Sequence, residues 1–121
     1  MSTHQYKMRL LNALNNSLDG LKTVWKNEQA FRWEVYLSLV LMPVIFYISV
    51  SNMLKLLLIL LLLLLFVVEI INSALETVVD RISLERHEKS KNAKDMGSLA
   101  VLMVIIMNVV AWIYTIYEYL I

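Results

Sequence analysis

The 121 residues are 60% hydrophobic and 17% charged, and their mean hydropathy is +0.66. That apolar content exceeds an ordinary soluble domain's and places the chain among membrane proteins, with room for three spanning helices and a surface segment but none for a separate soluble catalytic domain. A net charge of +1 gives no reason to expect nucleic acid, and the lack of cysteine excludes disulfides and thiolate chemistry.

The N-terminal residues, MSTHQYKMR, lack the short apolar core and small-residue cleavage site of a removable signal, so the first membrane helix is expected to stay. Over about 6–27, Leu11, Leu14, Leu18, Leu21 and Trp25 recur every three or four residues, with Lys7, Asn12, Asn15, Asp19, Lys22 and Lys26 on the other side. The pattern predicts an amphipathic helix in the headgroup layer of an anionic membrane; a helix packed on the protein's own core has the same pattern, and both can hold together. Asn27 to Glu34 then form a hinge into a first membrane segment, about 33–50, which contains the only proline, Pro43.

Ser51-Asn52 makes a tight connection to an antiparallel second segment, about 54–76. Asp80 to Ser98, DRISLERHEKSKNAKDMGS, reads as a hydrophilic connection. It leads to a third segment, about 98–119, with Asn108 inside it and Trp112, Tyr114, Tyr117 and Tyr119 as an interfacial belt. The expected fold is an all-α membrane protein in one domain over 1–121: three transmembrane helices and an N-terminal amphipathic surface helix. Lys7, Arg9, Lys22, Lys26 and Arg32 precede the first segment; Arg81, Arg86, Lys89, Lys91 and Lys94 lie between the second and third, and Lys55 alone lies between the first and second. The positive-inside rule therefore predicts that the N-terminus and the 80–98 stretch are cytoplasmic and the C-terminus is on the far side.

The second segment holds the candidate chemistry. Thirteen apolar residues, Leu56 to Val68, run straight into Glu69, Asn72, Ser73, Glu76 and Asp80, whose spacing puts them on one helical face. A carboxylate at the helix centre of a bilayer costs roughly 2.5 to 3.5 kcal/mol on insertion scales, so Glu69 is a functional-site candidate by default. Glu69 and Glu76 are two turns, about 10 Å, apart, which suits separate tasks better than a shared ion. Asn72 and Ser73 serve a site or interhelical hydrogen bonding equally well, and for Asn108 hydrogen bonding is the better reading.

Glu28, Glu34, Arg9, Arg32, Lys94 and Asp95 complete an inventory suited to phosphoryl transfer. Carboxylates hold Mg²⁺ against phosphate oxygens, cations offset the transferring charge, and a further carboxylate takes a proton from the attacking hydroxyl. There is no G-x-x-x-x-G-K-[ST] and no kinase glycine-rich loop, and Gly20 and Gly97 are the only glycines. A nucleotide must then be held through metal and side chains, with Gly97 at the start of the third helix as the place where a phosphate could approach an N-terminus. His87 stands alone in a charged stretch and His4 near the chain end, so no zinc spacing arises.

Three stretches resemble the signatures of the prokaryotic diacylglycerol kinases: GLKTVWKNEQAFRWE from Gly20 to Glu34, EIINSALETVVDR from Glu69 to Arg81, and AKDMGS from Ala93 to Ser98. The resemblance covers nearly the whole chain, and its most specific part is E-x-x-N-S-A-x-E-x-x-V-D with the downstream A-K-D. It implies a homotrimeric inner-membrane enzyme that transfers the γ-phosphate of MgATP to the hydroxyl of diacylglycerol. By the same resemblance, Glu69 is the general base, Glu28 and Glu76 hold magnesium, and Asn72 supports the base. Arg9, Glu85, His87, Lys94 and Asp95, with Glu28 and Glu76, belong to the nucleotide site. Arg9, Phe31, Arg32, Glu34, Glu69, Ser98 and Trp112 line the lipid site. The chain departs from the family pattern at Trp33 and at Lys91-Asn92.

Two other functions compete. The related polyisoprenol kinases share the core motif and phosphorylate undecaprenol, although M-G-S-L-A-V and V-D-R look more like the diacylglycerol branch. A non-enzymatic membrane oligomer with Glu69 and Asn108 along a polar path leaves Glu28, Glu34, Lys94 and Asp95 unexplained.

Overall fold

A computed structural model describes residues 2–121 and folds them into four helices: α1 (Thr3–Asn27), α2 (Gln29–Tyr47), α3 (Asn52–Ile82) and α4 (Glu88–Leu120). Among the described residues there is no strand. Helices α2, α3 and α4 are each long and apolar enough to cross a membrane, in agreement with the all-α class expected from the sequence.

Local side-chain chemistry sets the helix ends. Ser2 and Gln5 form a reciprocal capping box that opens α1. Glu28 closes α1 and opens α2 with one extended residue, at φ −114° and ψ 100°, and its carboxylate makes no capping bond. Ser51 Oγ accepts from Leu54 N–H at 3.2 Å to start α3, and Lys55 Nζ donates to the Phe46 carbonyl at 2.9 Å, closing the α2–α3 turn at a helix C-terminus.

The 80–98 stretch differs from its sequence reading. Helix α3 continues to Ile82 and α4 begins at Glu88, so only 83–87 lies outside a helix. Hydropathy marks where a helix leaves an apolar layer, whereas Glu88, Lys89, Lys91, Ala93, Lys94 and Met96 are strong helix formers that continue the helix in polar surroundings. At about 1.5 Å per residue α3 is roughly 46 Å long, against a hydrocarbon core of about 30 Å, so its polar end can project.

The most extensive packing joins α3 to α4; α2 lies on α3, and α1 on α2. Ile45, Leu58 and Ala111 form the buried centre, with Met42, Ile59, Leu61 and Trp112 packed around it. Toward the polar end, Phe31 meets Phe66 edge-on at 5.5 Å, which fixes the start of α2 against α3 beside Glu69. Along α1, Val24 is buried while Leu10, Leu11, Leu14, Leu18 and Leu21 are exposed.

Candidate active site

Where the α1–α2 joint meets the polar half of α3 there is a cavity of about 180 Å³, lined by Glu28, Phe31, Glu69, Asn72, Ser73 and Ser98, among others. Glu69 arrives there because the polar stripe of α3 begins one residue after its leucine-rich run. Glu34, about a turn and a half into α2, brings its carboxyl group within hydrogen-bonding reach of Glu69. Glu34 Oε2 and Glu69 Oε2 are both buried without a donor, as is Asn72 Oδ1. Buried acceptors without a donor are rare in native proteins.

From this cavity a polar chain runs along α3 and across to α4. Asn72 Nδ2 donates to Glu76 Oε1 at 3.3 Å. The charge of Glu76 is felt by Lys94, whose ammonium donates to Asp80 Oδ1 at 2.7 Å. In the polar part of α4, before the apolar run from Leu99, Lys94 holds its proton above the ordinary lysine range, first through the Asp80 hydrogen bond and then through the charges of Asp80 and Glu76. Lys94 and Asp80 in turn line a second cavity, of about 380 Å³, with Glu85, Arg86, His87 and Asp95. Its volume falls within the range of small-molecule pockets. His87 caps α4, its Nδ1 accepting from Lys89 N–H at 3.1 Å.

Residues 15–116 match the family model of the prokaryotic diacylglycerol kinases. The chain belongs to that family. It is 48% identical over 104 residues to the diacylglycerol kinase of Pseudomonas aeruginosa, covering 86% of this chain and 85% of the relative. The enzyme of the same name from Haemophilus influenzae is 44% identical over 103 residues, covering 85% and 87%. That of Escherichia coli K12 is 42% identical over 104, covering 86% and 85%.

For this diacylglycerol kinase family member the sequence-predicted residues fall into three groups. Glu28, Phe31, Glu69, Asn72 and Ser98 meet at the smaller cavity, with Glu34 beside Glu69. Glu85, His87, Lys94 and Asp95 line the larger one, and Glu76 stands between the two through Asn72 and Lys94. Three residues lie elsewhere. Arg9 lines a surface hollow with His4, Gln5 and Met8, about 28 Å along α1 from Glu28. The Arg32 guanidinium donates to the Trp25 and Lys26 carbonyls, securing the C-terminus of α1. Trp112 packs on the Ile45–Leu58–Ala111 cluster, about 21 Å along α4 from Ser98.

Sequence reasoning gave no role to Asp80 beyond its place on the stripe, yet it is the partner of Lys94. A carboxylate on the same face one turn beyond Glu76 was the available signal. Gly97 also differs from its reading: it lies about two and a half turns inside α4, too far in to expose an N-terminal amide to phosphate.

Among the described residues no three His, Cys, Asp or Glu side chains gather as a ready metal site. Glu28 lines the smaller cavity and Glu76 is tied to its wall through Asn72, and carboxylate oxygens of this kind are the protein ligands Mg²⁺ takes. That ion characteristically takes one or two protein carboxylates and fills its remaining positions with phosphate oxygens and water.

Proposed function

We propose that this chain transfers the γ-phosphate of MgATP to the hydroxyl of diacylglycerol, giving phosphatidic acid, with the reaction centred between the two cavities. The observation that best supports this reading is the apposition of two carboxyl groups, Glu34 and Glu69, from different helices at a cavity whose wall includes Phe31. A lipid alcohol brings a hydroxyl to such a place with its chains in the membrane.

Glu69 accepts the hydroxyl proton as the alcohol oxygen forms its bond to the γ-phosphorus, the bond from that phosphorus to the β–γ bridging oxygen breaks, and ADP leaves. The proton then passes from Glu69 to water. Glu34 and Ser98 orient the alcohol, and Asn72 holds Glu76 in place. Glu28 and Glu76 hold Mg²⁺, which when bound neutralises charge on the phosphate oxygens. Lys94 faces the transferring group, and Glu85, His87 and Asp95 bind the rest of the nucleotide.

The active form is a homotrimer in the bacterial inner membrane, with the N-terminus and 80–98 on the cytoplasmic side. The exposed leucine stripe of α1 and the distance of Arg9 from Glu28 support an assembly in which neighbouring chains complete one another's sites. Arg9, Arg32 and Trp112 take their nucleotide and lipid roles there.

Purified protein is expected to convert ATP to ADP in step with phosphatidic acid formation only when diacylglycerol is present. Faster turnover with undecaprenol would move the chain to the polyisoprenol branch, and no lipid-dependent turnover would end the kinase reading. The shared site has its own test in mixing the inactive variants Glu69→Gln and Lys94→Leu before assembly. Activity should return in mixed oligomers; a mixture that stays inactive while cross-linking demonstrates mixed assembly would rule out sharing between these residues.

A further inference from the structure

Gly97 faces α3 at the level of Asn72. A Cβ built on Gly97 would collide with Asn72 Oδ1, and would come to 3.1 Å from Asn72 Cγ and 3.2 Å from Leu75 Cδ2. The carboxamide oxygen therefore rests against the bare Cα of Gly97, which explains how it is buried yet receives no N–H or O–H hydrogen bond. A Cα–H is a weak donor that can face such an oxygen. With Oδ1 turned into α4, the amide nitrogen at the other end of the planar group is left pointing along α3 to Glu76 Oε1 at 3.3 Å. The two ends of one rigid carboxamide thus couple a gap in α4 to the aim of a carboxylate on α3.

We propose that Gly97 is a positioning residue for Glu76: its missing side chain seats the Asn72 carboxamide, and the seated carboxamide holds the Glu76 carboxylate in the orientation in which it meets the metal–nucleotide. The consequence for metal binding rests on the kinase reading given above. Gly97 itself touches neither substrate nor metal. It acts through Asn72.

The test uses the full chain in detergent, with Mn²⁺ and a non-hydrolysable ATP analogue followed by electron paramagnetic resonance, alongside steady-state kinetics. Gly97→Ala is expected to weaken Mn²⁺–nucleotide binding about ten- to a hundredfold, the scale set by removing a group that orients a metal ligand. It should raise the Mg²⁺ requirement equally and leave the KM for diacylglycerol unchanged. Gly20→Ala is the control, because a Cβ there meets nothing within 4 Å. In an Asn72→Ala background the carboxamide is gone and only the end of the flexible Leu75 side chain, 3.2 Å away, has to shift, so Gly97→Ala should cause little further loss of binding or assembly. A Gly97→Ala protein that binds as the wild type does, or a loss equally large in both backgrounds, overturns the proposal. If Gly97→Ala fails to assemble, the two Asn72→Ala proteins still decide: equal assembly supports the clash, and failure of the double variant alone overturns it. Glu76→Gln separates the underlying reading. If it binds Mn²⁺–nucleotide as the wild type does, the metal role of Glu76 falls, and the consequence drawn for Gly97 falls with it. If it weakens binding while Gly97→Ala does not, only the Gly97 proposal falls.

Discussion

Asn108 and Asn72 lie on the same α3–α4 seam. Asn108, in the apolar half, donates Nδ2 to the Leu61 carbonyl across the seam at 3.1 Å and to the Val104 carbonyl at 3.0 Å. Asn72, in the polar half, donates to Glu76 on its own helix at 3.3 Å and keeps Oδ1 buried without an N–H or O–H donor. Both residues are half-buried, and both would pass as interhelical glue in a sequence. The difference lies in what they bond to. A backbone carbonyl is a fixed acceptor present in any helix pair, so Asn108 fixes register, whereas Asn72 bonds a side chain of the polar stripe and, on the function proposed above, orients that carboxylate. One half of the seam is closed by its asparagine, and the other is held open beside Glu69.

The sharpest break between the two halves is expected at Glu69. Glu69→Gln keeps the shape and a hydrogen-bonding end but removes the proton acceptor, so kcat should fall about 10²- to 10⁴-fold, the usual contribution of a general base. Circular dichroism and nucleotide binding should stay as in the wild type. Turnover within a few-fold of wild type would transfer the base role elsewhere, with Glu34 next to be tried.

One step down, Glu28→Gln and Glu76→Gln should each raise the Mg²⁺ concentration for half-maximal activity by about ten- to a hundredfold and leave the KM for diacylglycerol nearly unchanged. A rise confined to the lipid KM would contradict the metal assignment. The comparison also predicts that Asn72→Ala shifts the Mg²⁺ dependence in the same sense.

Asn108→Ala should behave oppositely, with turnover per folded molecule kept and stability in detergent lowered by about 0.6 kcal/mol, at most about 1.7, the measured range for polar interhelical bonds in membranes. Leu61 and Val104 carbonyls lie inside continuous helices, so losing the asparagine does not strand them. A large activity loss at unchanged stability would mean that the apolar half takes part in the reaction.

What the sequence made legible follows the same division. Three membrane-length helices and the face shared by Glu69, Asn72, Ser73, Glu76 and Asp80 depend on hydropathy and on a 3.6-residue period, both local properties of the chain. The apposition of Glu34 to Glu69, the Asp80–Lys94 pair and the Gly97 gap under Asn72 join different helices, and no local pattern encodes which residues of two helices end up level. The start of α4 was hidden for another reason, since charged helix formers after Glu88 look like a loop when only hydropathy is read. Arg32 illustrates a further limit: its capping of α1 depends on the one-residue joint at Glu28, which has neither glycine nor proline to announce it.

The smallest effect is expected at Lys91, and it tests whether every polar pair near the site deserves a functional reading. Lys91 Nζ and Asp95 Oδ2 are 2.6 Å apart, but their side chains are 65% and 61% exposed. Water screens such a pair, and i,i+4 pairs on helices are worth about 0.3 to 0.5 kcal/mol. Here the lysine precedes the acid, the less favourable order, and it lies in the first turn of α4, where the helix dipole opposes a cation. These terms nearly cancel, so Lys91→Ala should change stability by no more than about 0.5 kcal/mol in either direction, and raised salt should erase even that. The KM for ATP should move less than about threefold, since Lys94, with its own carboxylate partner, faces the same cavity. A loss beyond about 1.5 kcal/mol is more than an exposed pair supplies, and it would mean that Lys91 is covered in the assembled protein by a neighbouring chain. The 65% exposure would then describe the isolated chain alone.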